Sequence, residues 1–146
     1  MPYLPRSLAN LLGRDVFDAE AVEELTETER PRSLALPTVL EYLSQTLKGL
    51  AAAHDKGLVH RDIKPSNIML SENNQVRIVD FGIAKAPDGA DSTMSQLAMG
   101  SRHYMAPEQR ESAKHVDARD DVYAIGVVAY RMLTGHLPTE RFADPK

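Results

Sequence analysis

The sequence lacks cysteine altogether, and this absence excludes a disulfide framework and a thiolate metal site. It also lacks a basic stripe: 17 basic and 21 acidic residues leave a formal charge of −4, so nucleic acid is a poor candidate partner. The five histidines show no metal-ligand spacing. No signal peptide is recognisable, and the longest apolar run, residues 122–133, is too short for a membrane span and contains Arg131. We therefore expect a cytoplasmic protein, with no membrane segment in this chain.

The 146 residues suit one domain, and residues 58–70 are its most informative stretch. Their apolar ends predict two short strands, and Pro65 is expected to keep the charged loop between them from becoming helical. The loop contains His60, Arg61, Asp62, Lys64 and Asn67. Because burying such groups unpaired costs free energy, polar residues at the mouth of a core usually serve chemistry.

Two further motifs follow this loop. Residues 75–79 alternate as a strand should and lead into Asp80-Phe81-Gly82, and residues 104–108 read Tyr-Met-Ala-Pro-Glu. In this order the three motifs resemble the catalytic loop, the metal-binding motif and the end of the activation segment of protein kinases. The resemblance covers nearly the whole chain and is closest to the eukaryotic-type serine/threonine kinases of bacteria. It implies an α+β, mainly helical fold: the large, C-terminal lobe of a protein kinase, truncated, without the β-rich N-lobe.

The resemblance implies a reaction and its residues. The reaction is transfer of the γ-phosphoryl group of ATP to Ser or Thr hydroxyls of proteins. Asp62 would accept the proton of the substrate hydroxyl, and Lys64 would neutralise charge on the transferred group. Asn67 and Asp80 would hold two Mg²⁺ ions, or Mn²⁺. Met69 would form the floor under the adenine ring.

Other positions take binding and regulatory roles by the same resemblance. The backbone near Tyr3 and Leu4 would hydrogen-bond the adenine as a hinge. Arg61 would bind a phosphate on the activation segment, and Thr93 and Ser95 are the residues expected to carry it. Ser101 would belong to the platform that receives the protein substrate, where its hydroxyl would bridge the catalytic Asp and Lys.

A last group of residues is expected to be structural. His60 would pack beside Phe81, and Gly82 completes the metal-binding motif. Glu108 in relatives pairs with an arginine near the end of the domain. Asp121 would hydrogen-bond the backbone of the catalytic loop.

The pattern of apolar residues divides the chain into segments. The helix over 37–57 is expected to bury one face, formed by Val39, Leu40, Leu43, Leu47, Leu50, Ala51 and His54, with His54 as a packed residue rather than a ligand. The helix over 117–134 is apolar nearly all round from residue 122 to residue 133, as is typical of a helix buried on every side. Because the chain is expected to be truncated, we expect this helix to lose part of its cover and to expose apolar surface. The segments are the hinge and first helix (1–12), an acidic insertion without a catalytic role (13–36), the amphipathic helix (37–57), the catalytic and metal-binding loops (58–82), the activation segment (83–108) and the buried helix (117–134).

Parts of the family pattern are missing. The sequence has no Gly-x-Gly-x-x-Gly loop, and no lysine precedes the hinge, so we expect the N-lobe to belong to a longer parent protein and this chain to be inactive or nearly so alone. One alternative is a non-catalytic, kinase-like interaction module. Another is a small-molecule phosphotransferase of the aminoglycoside type, against which Lys64, Phe81-Gly82 and residues 106–108 argue.

Overall fold

The computed structural model describes residues 6–15, 23–81, 102–111 and 117–138. These residues form an α+β fold that is mainly helical. No helix among them is both long and apolar enough to cross a lipid bilayer. In chain order the elements are β1 (Arg6–Ser7), α1 (Leu8–Leu12), α2 (Leu36–Asp55), β2 (Ile68–Leu70), β3 (Val76–Ile78), α3 (Pro107–Glu111) and α4 (Ala118–Thr134).

The three short strands form one antiparallel sheet in the order β1-β2-β3. Ser7 ends β1 and at once caps α1, because its hydroxyl accepts a hydrogen bond from the Asn10 amide at 3.2 Å. Gly13 ends α1 with φ of +78°, and a Cβ there would lie 2.1 Å from the Arg30 carbonyl oxygen. Only glycine fits this position.

Helix α2 packs against α4 and β3 with a face that matches the predicted one only in part, since Val39 and Leu50 are buried as predicted. The buried face is Val39, Tyr42, Thr46, Leu50 and Ala53, whereas Leu40 and Leu47 are 57% and 44% exposed and Ala51 is exposed too. Two neighbouring rows of residues along the helix could have been buried, and the row that is buried includes the polar Thr46. Its hydroxyl is satisfied, since Thr46 Oγ1 donates to the Tyr42 carbonyl at 2.7 Å.

Helix α4 begins with a capping box in which Asp117 and Asp120 bond reciprocally, and it ends at Gly135 in the left-handed conformation. The helix is not buried on every side, and part of its apolar surface is exposed, as expected for this chain. Ile125, Val128 and Met132 are among its buried residues, but Val122 is 56% exposed and Leu133 is 46% exposed, because none of the described elements covers that face.

The chain between α2 and β2 also differs from the prediction. Residues 58–60 belong to no strand, while the second predicted strand is present as β2. Pro65 does not exclude helix: it opens a single 3-10 turn, Pro65–Asn67. Proline suits the first position of such a turn because the amide hydrogen that it lacks would have no partner there.

Candidate active site

The catalytic-loop residues converge within one short segment. The side-chain nitrogen of Asn67, Nδ2, donates to the Asp62 backbone carbonyl oxygen at 2.7 Å and lies 3.3 Å from the Asp62 carboxylate. Lys64 Nζ lies 3.5 Å from the same carboxylate. Asn67 is buried, and the 3-10 turn at Pro65 sets its orientation. The loop therefore holds a carboxylate, a cation and an amide within one small volume.

The metal-binding motif is tied to the same loop through the backbone. The Val79 amide donates to the Asn67 carbonyl oxygen at 2.9 Å, which brings the following residue, Asp80, to the catalytic loop. Asp80 has φ of +58°, an uncommon conformation for a residue other than glycine. Because the Asn67 side-chain nitrogen is committed to Asp62, its oxygen is the atom that could ligate a cation. An amide oxygen and a carboxylate are the hard donors that Mg²⁺ prefers.

Met69 lies at the centre of β2, opposite Ser7 on one side and Arg77 on the other. Its neighbours Ile68 and Leu70 are buried in the core, while Met69 is only half-buried. Side chains alternate along a strand, so Met69 lies on the sheet face opposite to theirs.

His60 has both ring nitrogens in use. Nε2 lies 2.7 Å from the Val79 carbonyl oxygen, and Nδ1 lies 3.1 Å from the Asp62 amide. An N–H must donate to the carbonyl and a lone pair must accept from the amide, so the pattern fits the neutral ring with its proton on Nε2. The ring also contacts Phe81, with centroids 4.6 Å apart. His60 therefore links the catalytic loop to the metal-binding motif.

Asp121 holds the backbone of the catalytic loop. Oδ2 accepts from the His60 amide at 2.8 Å, and Oδ1 accepts from the Arg61 amide at 2.9 Å. The carboxylate is almost completely buried, with 1% exposed. Arg61 has φ of +77°, a strained value for a residue with a side chain, and its amide is one of the two groups that Asp121 anchors.

His54 completes this arrangement, and sequence reasoning missed its role. Its Nε2 lies 2.8 Å from Asp121 Oδ2, and since a carboxylate oxygen can only accept, the ring donates. The sequence placed His54 on a packed helix face, which is correct as far as burial goes. Its partner lies 67 residues away, so no local signal could have revealed the pairing.

A second group that sequence reasoning missed lies beside the loop. Arg131 is fully buried, and its Nε donates to Asp15 Oδ1 at 2.9 Å, while the Tyr104 hydroxyl donates to Asp15 Oδ2 at 2.9 Å. Burial, followed by the Asp15 charge, raises the pKa of Tyr104 well above its usual range. In the sequence, the only sign of this group of Arg131, Asp15 and Tyr104 was a charged residue, Arg131, within an apolar helix.

Glu108 lies close to a second buried carboxyl. Its side chain is exposed, but the carboxyl group of Asp120 faces it from a site that is 2% exposed. Burial raises the pKa of Asp120 most, the Asp117 amide lowers it, and the Glu108 carboxyl raises it further. Asp120 Oδ1 has no hydrogen-bond donor among the described residues. A proton between the two carboxyl groups would satisfy that oxygen.

We expect Asp120→Asn to raise the free energy of unfolding at pH 7 by about 1 kcal/mol. The asparagine oxygen keeps the bond from the Asp117 amide, and its NH₂ group donates to Glu108 without a proton from solvent. Urea denaturation measures the difference.

The pH dependence of this difference follows from the pKa of Asp120, which folding raises. The wild-type carboxyl group contributes most to stability below its ordinary pKa of 3.8 and loses that contribution as the pH rises through its pKa in the folded protein. The advantage of the variant should therefore shrink as the pH is lowered from 7 toward 3.8, and an advantage independent of pH would contradict the shared proton.

Several predicted site residues lie outside the described residues. They are Tyr3, Leu4, Gly82, Thr93, Ser95 and Ser101. Of the remaining ones, the structure brings Asp62, Lys64 and Asn67 together and ties Asp80 to them. The Arg61 side chain is exposed. No cluster of three or more His, Cys, Asp or Glu residues suited to a metal occurs in the described part of the chain.

The sequence model of the protein kinase domain matches residues 12–145 of this chain. The chain therefore belongs to the protein kinase family, and the resemblance read from its motifs is confirmed. Members of this family use ATP with Mg²⁺.

The relatives of this chain include bacterial serine/threonine kinases. PknL of Mycobacterium tuberculosis is 45% identical over 133 residues, which cover 86% of this chain and 33% of that protein. The kinase pkn2 of Myxococcus xanthus is 46% identical over 133 residues, covering 86% and 15%. A probable serine/threonine-protein kinase of Clostridium acetobutylicum is 44% identical over 100 residues, covering 68% and 15%. The chain thus spans a third or less of the length of these relatives.

Proposed function

We propose that this chain provides the phosphotransfer centre in the large lobe of a serine/threonine protein kinase. Asp62 accepts the proton of a Ser or Thr hydroxyl on a protein substrate, and Lys64 neutralises charge on the transferred γ-phosphoryl group of ATP. The observation that carries the proposal is the convergence of the Asp62 carboxylate with Lys64 at 3.5 Å and Asn67 at 3.3 Å. Catalysis of phosphoryl transfer depends mainly on positioning and on charge stabilisation, and a base and a cation in fixed positions supply both.

The metal would be held by the Asn67 side-chain oxygen and the Asp80 carboxylate. When bound, Mg²⁺ or Mn²⁺ supplies charge neutralisation between the phosphates of ATP. Asn67 also positions the base, because its amide nitrogen bonds both the carbonyl and the carboxylate of Asp62. Met69 would contact the adenine from the half-buried face of β2, and Tyr3 and Leu4 would bond its edge. These assignments rest on family resemblance together with the placement of the described residues.

The remaining family residues take regulatory and substrate-binding roles in this proposal. The exposed Arg61 would receive a phosphate carried by Thr93 or Ser95, and Ser101 would support the substrate beside Asp62. His60, Phe81 and Asp121 keep the loop in its active geometry through the contacts described above.

The proposed test measures metal binding rather than turnover. The sequence contains no glycine-rich phosphate loop, so little turnover is expected from this chain alone. The ¹⁵N-labelled chain is titrated with MnCl₂ in the presence of ATP, and paramagnetic broadening is followed at each amide. We expect the amides of Ile68, Val79 and Phe81 to broaden first. Asparagine tolerates the left-handed backbone of position 80. We therefore expect Asp80→Asn to raise the Mn²⁺ concentration needed for broadening by about tenfold or more.

The matched control is Asp55→Asn at the exposed end of α2, which should leave the titration unchanged. Broadening that is uniform over the chain, or that is unchanged in the Asp80→Asn variant, would contradict the proposed metal site.

A further inference from the structure

A cavity of about 180 Å³ lies directly beside the catalytic loop. Leu12 and Asp15 lie on one side of it, Lys64, Pro65 and Ser66 belong to the catalytic loop, and Tyr104 also lines it. Lys64 is therefore shared between the cavity and the Asp62 carboxylate, which is 3.5 Å from its amine. A group bound in the cavity would be a close neighbour of whatever reacts at Asp62.

The two charged groups that line the cavity are already compensated. Both oxygens of Asp15 are occupied, one by the buried Arg131 and the other by the Tyr104 hydroxyl. Lys64 is paired with Asp62. Among the described residues that line the cavity, no other charged side chain occurs. The other described residues of its wall are small or apolar, apart from the Ser66 hydroxyl and the Tyr104 hydroxyl that donates to Asp15.

Among the described residues of the cavity wall, no group is free to pair with a ligand charge of either sign. A basic side chain would face the Lys64 ammonium, and the nearest carboxylate is held by Arg131 from behind. An acidic side chain would face Asp15 and would compete with Asp62 for Lys64. Because a charge withdrawn from water without a partner of its own costs free energy, an uncharged side chain is the better occupant. The volume accommodates one side chain of medium size.

We propose that this cavity receives an uncharged side chain that flanks the phosphoacceptor Ser or Thr of a protein substrate, and that it rejects arginine and glutamate there. The proposal rests on the proposed kinase function, because that function places the acceptor hydroxyl at Asp62. The Arg131–Asp15 pair determines the specificity: without Arg131, Asp15 would offer an uncompensated charge to a basic residue.

The absence of native cysteine allows a direct test. Ser66→Cys places one thiol in the cavity wall at an exposed residue, and Ser44→Cys on the exposed face of α2 is the control. The rate of labelling by neutral N-ethylmaleimide is measured with peptides of the form Gly-X-X-Ser-X-X-Gly. X is glutamine or its charged isostere glutamate in one pair, and citrulline or its charged counterpart arginine in the other.

We expect the glutamine and citrulline peptides to slow labelling of the thiol at position 66 by about fivefold, and the charged peptides to have less than about a twofold effect. Labelling at position 44 should not change. A second variant combines Ser66→Glu with Ala9→Cys, so that a carboxylate without a buried partner joins the cavity. In that protein the arginine peptide should protect better than the citrulline peptide.

Equal protection by the charged and neutral members of a pair would overturn the proposal, and so would the absence of protection by any peptide. The Mn²⁺ titration on the same samples separates the two hypotheses. If the broadening near Asn67 and Asp80 persists while the peptides fail, the cavity assignment falls and the phosphotransfer centre stands. If the broadening is also absent, the proposed function falls with it.

Discussion

Asp121→Asn should lower the free energy of unfolding by about 3 kcal/mol. The carboxylate accepts three hydrogen bonds, from His54 and from the amides of His60 and Arg61, in a site with 1% exposure. An asparagine has one accepting oxygen. If its NH₂ group faces His54, the His60 amide loses its acceptor, and if it faces Arg61, that amide does. In either orientation at least one buried loop N–H remains unsatisfied.

Urea denaturation followed by circular dichroism gives the stability, and the neighbouring Asp120→Asn is the matched control. Both substitutions remove one carboxylate from adjacent, buried positions of α4, with 2% and 1% exposure. They are expected to act in opposite directions, since one oxygen of Asp120 has no donor among the described residues and Asp121 accepts three hydrogen bonds. Hydrogen exchange should also accelerate at His60 and Arg61 in the Asp121 variant. A loss of stability without faster exchange at those two amides would contradict an anchoring role.

Arg131→Met should be destabilising by about 3–5 kcal/mol. Its guanidinium donates to the Asp15 carboxylate at 2.9 Å, to the Arg32 carbonyl at 2.9 Å and to the Leu12 carbonyl at 2.7 Å. Methionine fills much of the same volume, so the loss reports the hydrogen bonds rather than a cavity. Removing the cation takes the donor from Asp15 Oδ1 and from the Arg32 carbonyl oxygen, while the Leu12 carbonyl oxygen keeps only its bond from the Arg32 amide.

The measurement is again the urea midpoint, with Arg30→Met at an exposed loop position as the control. The control should leave the midpoint unchanged within error. Arg131→Lys keeps the charge but cannot reach three acceptors with a planar fork, so it should recover only part of the stability. Full recovery by lysine would show that the charge alone matters and that the carbonyl contacts do not.

The sequence predicts what depends on neighbouring residues. Ser7 and Gly13 delimit α1, and Asp117 and Gly135 delimit α4, because caps and left-handed stops act within one turn. The catalytic loop is similarly local: Asp62, Lys64 and Asn67 lie within six residues, so their convergence follows from a single tight turn.

The sequence does not show which distant residues meet. The α2 prediction includes Leu40 and Leu47, since a stripe of leucines is more apolar than one containing Thr46, yet the structure buries the latter. The choice depends on the shape of α4 and β3, which periodicity does not report. The pairing of Arg131 with Asp15, 116 residues away, is of the same kind.

The contact between Asp121 and the loop also has a kinetic consequence. The His60 and Arg61 amides lie 61 and 60 residues before the carboxylate that anchors them. Forming contacts of such high sequence separation costs loop-closure entropy, and the carboxylate itself is synthesised about 60 residues after the amides that it anchors. A nascent chain on the ribosome would therefore carry the whole His-Arg-Asp motif for some time without its geometry. The proposed phosphotransfer centre would be assembled only when α4 docks against this loop.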